Sequence, residues 1–406
     1  MRFISRRRGQ TAVPARTATR DATRLLNRGR SGALVLGLAV AAAVAVPASA
    51  SASASTDGSP VVGHVYVNDN TAGVNTIGAF DRHADGTLTP EAGSPFAAGG
   101  AGLASQGALQ LSADGRFLIA ADAGSNQVSV LRIRPDGSLK LVSHGVVASG
   151  GVLPVSVAVS GDLVYVANSG NGGSNYTGFR LRPNGRLDPI AGSTFALPDG
   201  SQPGDVLFNG TGTKLAGTEV GTSLIDSFTV GSDGRLTAAP RSPFKAQGLG
   251  PFGSEFRPTG PGQLFVSNAH NGTGLGTVSA FTDSADGTLS PVAGSPFPDQ
   301  QTAPCWVEIT HDGRFLFTVN TGSGTISRYQ IATDGTLTLL GSTPISGTKV
   351  GAVDARLSPD GGFLYVDQSK AGAVAGFAVT GGTLTALDAS PFPLPVGAAP
   401  AGIVVS

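Results

Sequence analysis

The chain has 406 residues, among them 60 Gly and 26 Pro, and only 13% of it is charged. That composition excludes a helical bundle and points to many short strands joined by tight turns. The formal charge is zero, but nine Arg and one Asp lie in the first 50 residues. The remainder therefore holds 18 basic and 26 acidic groups, a net charge near −8 that excludes a phosphate backbone as partner.

The first element in chain order is a leader. Arg2, Arg6, Arg7, Arg8, Arg16, Arg20, Arg24, Arg28 and Arg30 precede the apolar stretch Ala33 to Val46, and Ala-x-Ala sites such as Ala48-Ser49-Ala50 follow. A basic region, an apolar core and a small-residue cleavage site make a secretory signal peptide. Its fourteen apolar residues fall short of a bilayer span, which needs about 20, so a retained anchor is the weaker alternative. Arg6-Arg7 would suit twin-arginine export, but Gly9-Gln10 stand where apolar residues belong. The expectation is a leader over residues 1–54 and a secreted, extracellular protein with no membrane attachment after cleavage. With one cysteine, Cys305, no internal disulfide forms.

From residue 61 to 406 the chain repeats. A turn-plus-strand signal stands at Asp85 (DGTL) and returns at Asp136, Asn184, Asp233, Asp286, Asp334 and Gly381, at spacings of 47 to 53 residues. Each copy runs strand, Asp-Gly turn, strand, Gly/Ser loop, strand, Asp-Gly turn, strand, as in Val307 to Pro344. This is a four-stranded antiparallel meander. The Asp-Gly pairs suit two-residue hairpins with positive φ at both turn residues. Ser-Pro-Phe closes the fourth strand at Ser94, Ser242, Ser295 and Ser390, with Ser193-Thr194-Phe195 as a variant. Proline cannot donate to a ladder, so these strands are outermost. The first copy starts at its second strand, His64 to Asp69, and the chain's last residues, Pro400 to Ser406, match its missing inner strand. The predicted fold is therefore all-β, a seven-bladed β-propeller closed by its C-terminal strand.

With these units, carried by Leu111–Leu139, Ile309–Leu337 and Leu357–Val379, the chain resembles the lactonase family of seven-bladed propellers, which includes bacterial 6-phosphogluconolactonases and carboxymuconate cyclases. The resemblance implies lactone hydrolysis or cycloisomerisation, with a lactone or carboxylate as the small-molecule ligand and a monomeric protein. Family members that act on sugar-acid lactones tend to carry histidines and arginines where the inner strands begin. The corresponding segments here contain no histidine, so 6-phosphogluconolactone is not the expected substrate.

Alignment of the inner strands brings Gln110, Ala158, Leu207, Glu255, Glu308, Arg356 and Val404 to one inward position, because residues two apart share a strand face. The preceding inward position includes Asp205, Trp306 and Asp354, and Cys305 falls on the packed face. Glu308 and Arg356 are the expected catalytic pair, with Glu219 and His270 as further proton carriers. Asp205, Glu255, Trp306, Asp354, Asp122 and Asp69 are expected to bind ligand. Asp69, Asp122, Asn168, Glu219, Asn268, Asn320 and Gln368 end the second strands and are expected to form a polar rim, although Asn and Asp there also suit turn capping. Crowded carboxylates beside Arg356 imply either a channel cation such as Ca2+ or one protonated carboxyl. Two readings follow, a secreted lactonase-like hydrolase or cycloisomerase and a non-catalytic extracellular propeller that binds a ligand or protein.

Overall fold

A computed structural model describes residues 58–260, 262–347 and 350–406; the leader lies outside the described residues. Seven antiparallel sheets follow one another along the chain, and a 3-10 turn at Ala123–Ser125 is the one helical element among the described residues. No described helix is long and apolar enough to cross a membrane. Within blades 2 to 7 the strands stand in chain order from the channel outward. Blade 6, for example, runs Pro304–Ile309, Phe315–Asn320, Thr325–Ile331 and Leu337–Pro344.

Blade 1 joins the two chain ends. Ile403–Val405 pairs antiparallel with Val61–Asn68, with Val65 opposite Val405 and Val67 opposite Ile403. Burial supports the closure: each of the seven blade interfaces holds its own apolar cluster, the one between blades 7 and 1 included. Polar links cross the same interfaces. Tyr66, Tyr165 and Tyr365 donate their hydroxyls to Gly137, Gly234 and Gly86 carbonyls at 2.8, 2.7 and 2.8 Å, each in an Asp-Gly turn of the next blade.

Two local expectations need correction. The Asp-Gly turns are not two-residue hairpins with both residues at positive φ. Gly86 has φ 84° while Asp85 stays on the negative side, and the Asp85 carboxylate accepts the Thr87 N–H at 3.0 Å. The same Asx contact recurs at Asp136, Asn184, Asp233, Asp286 and Asp334. A negative-φ Asp followed by a positive-φ Gly, with the His83 and Thr87 main chains bonded across the turn, makes a longer loop that Asp stabilises through its side chain. The second correction concerns the fourth strand, which is split in five blades. At each split the Ser of the Ser-Pro-Phe or Ser-Thr-Phe motif accepts a third-strand N–H that the broken ladder has left free, as Ser94 does from Ala79 at 2.8 Å. Blades 2 and 6 lack the motif and keep unbroken outer strands.

Candidate active site in the central channel

The innermost strand of every blade has one unpaired edge, and buried N–H groups on such an edge need acceptors. Acidic side chains supply them, blade to blade. Asp205 accepts from the Ser254 N–H and hydroxyl at 3.0 and 2.8 Å and from the Ser156 hydroxyl at 3.0 Å. Glu255 accepts the Ile309 N–H at 2.6 Å, and Glu308 the Leu357 N–H at 2.8 Å. Asp354 takes the Gly107 N–H at 2.7 Å, and Asp367 the Asp354 and Gly402 N–H groups at 2.9 and 3.0 Å. The channel carboxylates thus staple the inner strands to one another.

Two layers result. The upper one, made of Asp205, Trp306 and Asp354, is buried. Gln106 closes it from above, donating its side-chain amide across the channel to the Cys305 and Val353 carbonyls at 2.8 and 3.2 Å. Gly107, at φ 66°, packs so closely that a Cβ there would lie 2.8 Å from the Ser156 hydroxyl and 3.1 Å from the Trp306 ring. The indole N–H of Trp306 and one oxygen of Asp354 remain without partners in this layer.

The lower layer is more open. Arg356 keeps 26% side-chain exposure against 5% for Glu308, and Glu255 is half-buried. Arg356 is held on two sides: Nη1 donates to Glu308 at 3.2 Å, and the guanidinium lies 5.6 Å from the centre of the Trp306 ring. Burial works against its charge, but Glu308 and Glu255 more than offset that and hold it above its usual value. Burial, reinforced by the Glu308 charge, pushes Glu255 well above the usual carboxylate range. Burial also raises Glu308, with Arg356 opposing. Glu308 has both oxygens engaged, whereas Glu255 has one, so Glu255 is the better placed to accept a proton. Among the described residues these carboxylates do not converge into a metal-ligand set.

The remaining candidates lie elsewhere. The second-strand ends do not form an open rim: Asp122, Asn168, Glu219, Asn268, Asn320 and Gln368 are all buried. In blade 1 that strand ends at Asn68, one residue before Asp69. Asp122, Asn168, Asn268 and Asn320 turn back onto the third strand, as Asp122 does to Ser129 and Asn168 to Asn175, because a buried polar group must be satisfied locally; the Gln368 amide is buried without a partner. Asp69 accepts from Thr76 at 2.9 Å, and burial pushes it up to about 7. Glu219 accepts from Thr222 and sits beside Asp226, which burial and the Glu219 charge raise to about 8. His270 is exposed on a loop, its N–H bonded to the Leu249 carbonyl. The Cys305 thiol is pushed up to about 11 by burial.

A cavity of about 300 Å3 lies over the starts of the inner strands, walled by Leu153, Val155, Val220 and Phe252, with Gln106 and Gln202 among its polar groups. Sequence reasoning missed this cavity and the sealing role of Gln106. Both depend on which loops meet over the channel, and no local motif records that.

The family described as lactonase, seven-bladed beta-propeller, matches residues 74–208 and 198–397. No curated protein sequence matches the chain significantly. Among solved structures, a Bacteroides uniformis protein provisionally named a 6-phosphogluconolactonase aligns with TM-score 0.69 at 20% identity, over 86% of this chain and 100% of that one. A similarly named Bacteroides fragilis protein gives 0.68 at 21%, over 85% and 98%. The periplasmic gluconolactonase of Pseudomonas aeruginosa gives 0.66 at 18%, over 84% and 98%.

Proposed function

Because the chain belongs to the lactonase family of seven-bladed β-propellers, we propose that it is a secreted lactone hydrolase whose chemistry resides in the lower channel layer. The observation that carries this reading is the fixed guanidinium: Arg356 is clamped by Glu308 and Trp306 beside Glu255, a carboxyl with a raised proton affinity. In this mechanism Glu255 takes a proton from water as the water oxygen attacks the lactone carbonyl. Arg356 receives the negative charge that develops on the carbonyl oxygen. The ring C–O bond then breaks, and the departing alkoxide regains a proton from Glu255. Cyclisation of a muconate-like diacid would use the pair differently: one substrate carboxylate adds to the C=C bond while protonated Glu255 delivers its proton to the carbon next to the other carboxylate, which Arg356 holds. Export is supported by the basic and apolar leader and by the periplasmic naming of one structural relative.

The test is turnover of aldonolactones, acyl lactones and muconates by purified protein. Glu255→Gln and Arg356→Ala should each lower kcat/KM by about a hundredfold or more, the scale of losing one oxyanion interaction. Both variants should keep the wild-type far-UV spectrum. No turnover above buffer across the panel would sink the reading. A second reading, a non-catalytic binding propeller, draws on the cavity beneath Phe252, whose walls carry no ionisable side chain. Ligand binding there without turnover would favour it.

A further inference from the structure

Blade 1, which joins the chain ends, carries a second polar cluster far in sequence from the channel residues. His64 lies on the strand Val61–Asn68, Asp81 is its cross-strand partner on Val74–His83, and Glu91 follows the short strand Leu88–Pro90. One ligand atom from each falls within 4.8 Å of the other two. His64 Nδ1 is 3.2 Å from Asp81 Oδ1 yet makes no hydrogen bond, and it is shut off from solvent. Glu91 is only 7% exposed. Among the described residues no Lys or Arg lies within ion-pair distance of either carboxylate; the nearby Arg82 turns instead to Asp360 and to the Ser406 carbonyl. Two carboxylates and an unpaired imidazole nitrogen therefore face one another with no protein cation among them except His64 itself. The imidazole cannot swing away freely, because the Gly137 turn of blade 2 lies against its ring.

We propose that His64, Asp81 and Glu91 bind a first-row divalent cation of the zinc class. One imidazole nitrogen and two carboxylate oxygens suit a borderline cation with water in the remaining positions, and they suit Ca2+ less well, since it favours six to eight oxygens. The ion would tie together three successive strands of the blade that closes the ring. Its effect reaches the seam directly, because the His64 main chain exchanges both hydrogen bonds with Ser406, at 3.3 and 2.9 Å. The site is thus a stabilising clamp, separate from the channel.

Untagged protein, stripped with EDTA and dialysed against micromolar Zn2+, should retain one zinc per chain by elemental analysis. Its Tm should rise by about 5 °C at a hundredfold excess over Kd, and EDTA should reverse the rise. Glu91→Gln, which keeps the side-chain shape, and His64→Ala should each weaken zinc binding at least tenfold while His270→Ala leaves it unchanged. If His64→Ala does not fold, Glu91→Gln alone decides. Zinc binding that survives in Glu91→Gln would overturn the proposal. So would absence of bound zinc in folded protein, which would leave His64 and Asp81 as an ion pair only, or a shift produced by Ca2+ and not by Zn2+.

Discussion

Ring closure rests on three apolar residues at the end of the chain, and truncating one of them measures it. Ile403 is 2% exposed and belongs to the apolar cluster between blades 7 and 1, with Val65, Val67, Phe80, Tyr365 and Phe392. Ile403→Ala removes three buried carbons from a site whose neighbours sit on hydrogen-bonded strands of two blades and cannot collapse inward. Large-to-small changes of this kind cost about 2–5 kcal/mol, a large share of the ~5–15 kcal/mol that a domain holds in total. At about 2–4 °C per kcal/mol, Tm should fall by roughly 4–20 °C. Val396→Ala is the control, since Val396 is fully exposed, and surface changes stay within about 0.5 kcal/mol. Urea unfolding followed by Trp306 fluorescence reads both, because the chain has one tryptophan and it sits two blades from the seam. An Ile403→Ala loss no larger than that of Val396→Ala would refute the argument that the C-terminal strand holds the ring shut.

Other outcomes follow from the buried polar groups. Asp226 is raised from 3.8 to about 8 by burial and then by Glu219, so the folded state holds its proton more tightly than the unfolded chain does. That contribution to stability is full below about pH 4 and is lost as pH rises through 8; Asp226→Asn, which mimics the protonated group, should gain on wild type between pH 5 and pH 9. Parallel urea-stability curves for the two proteins across that range would contradict it. Gly107→Ala combines positive φ with a Cβ 2.8 Å from Ser156, and should lose about 1–3 kcal/mol and shift Trp306 emission; an unchanged spectrum would show that the seal over the channel is looser than described. Cys305, with its thiol raised to about 11 by burial, should react with a disulfide reagent at pH 8 far more slowly in folded than in urea-unfolded protein. Equal labelling rates would show that the fold does not shield it.

The sequence by itself carried the architecture, because a propeller repeats local rules. The Asp-Gly turns, the alternation within each strand and the outer Ser-Pro-Phe motifs each act over a few residues, and seven copies reinforced one reading. Placing Pro400 to Ser406 in blade 1 needed only the count of strands in the first copy. The inward positions of Glu255, Glu308 and Arg356 were likewise legible from strand period. What those side chains touch was not. No sequence rule makes Glu308 the acceptor for the Leu357 N–H or the Arg356 guanidinium, which are nearly fifty residues away; the contacts exist because adjacent inner strands present an unpaired edge to the channel. The expected rim failed for the related reason that Asp122, Asn168, Asn268 and Asn320 find partners on the next strand before they reach solvent. The Gln106 seal, the cavity beside Phe252 and the meeting of His64 with Glu91 depend on distances between elements. Such distances come from the packing of whole blades, and a period of two or of forty-nine residues holds no record of them.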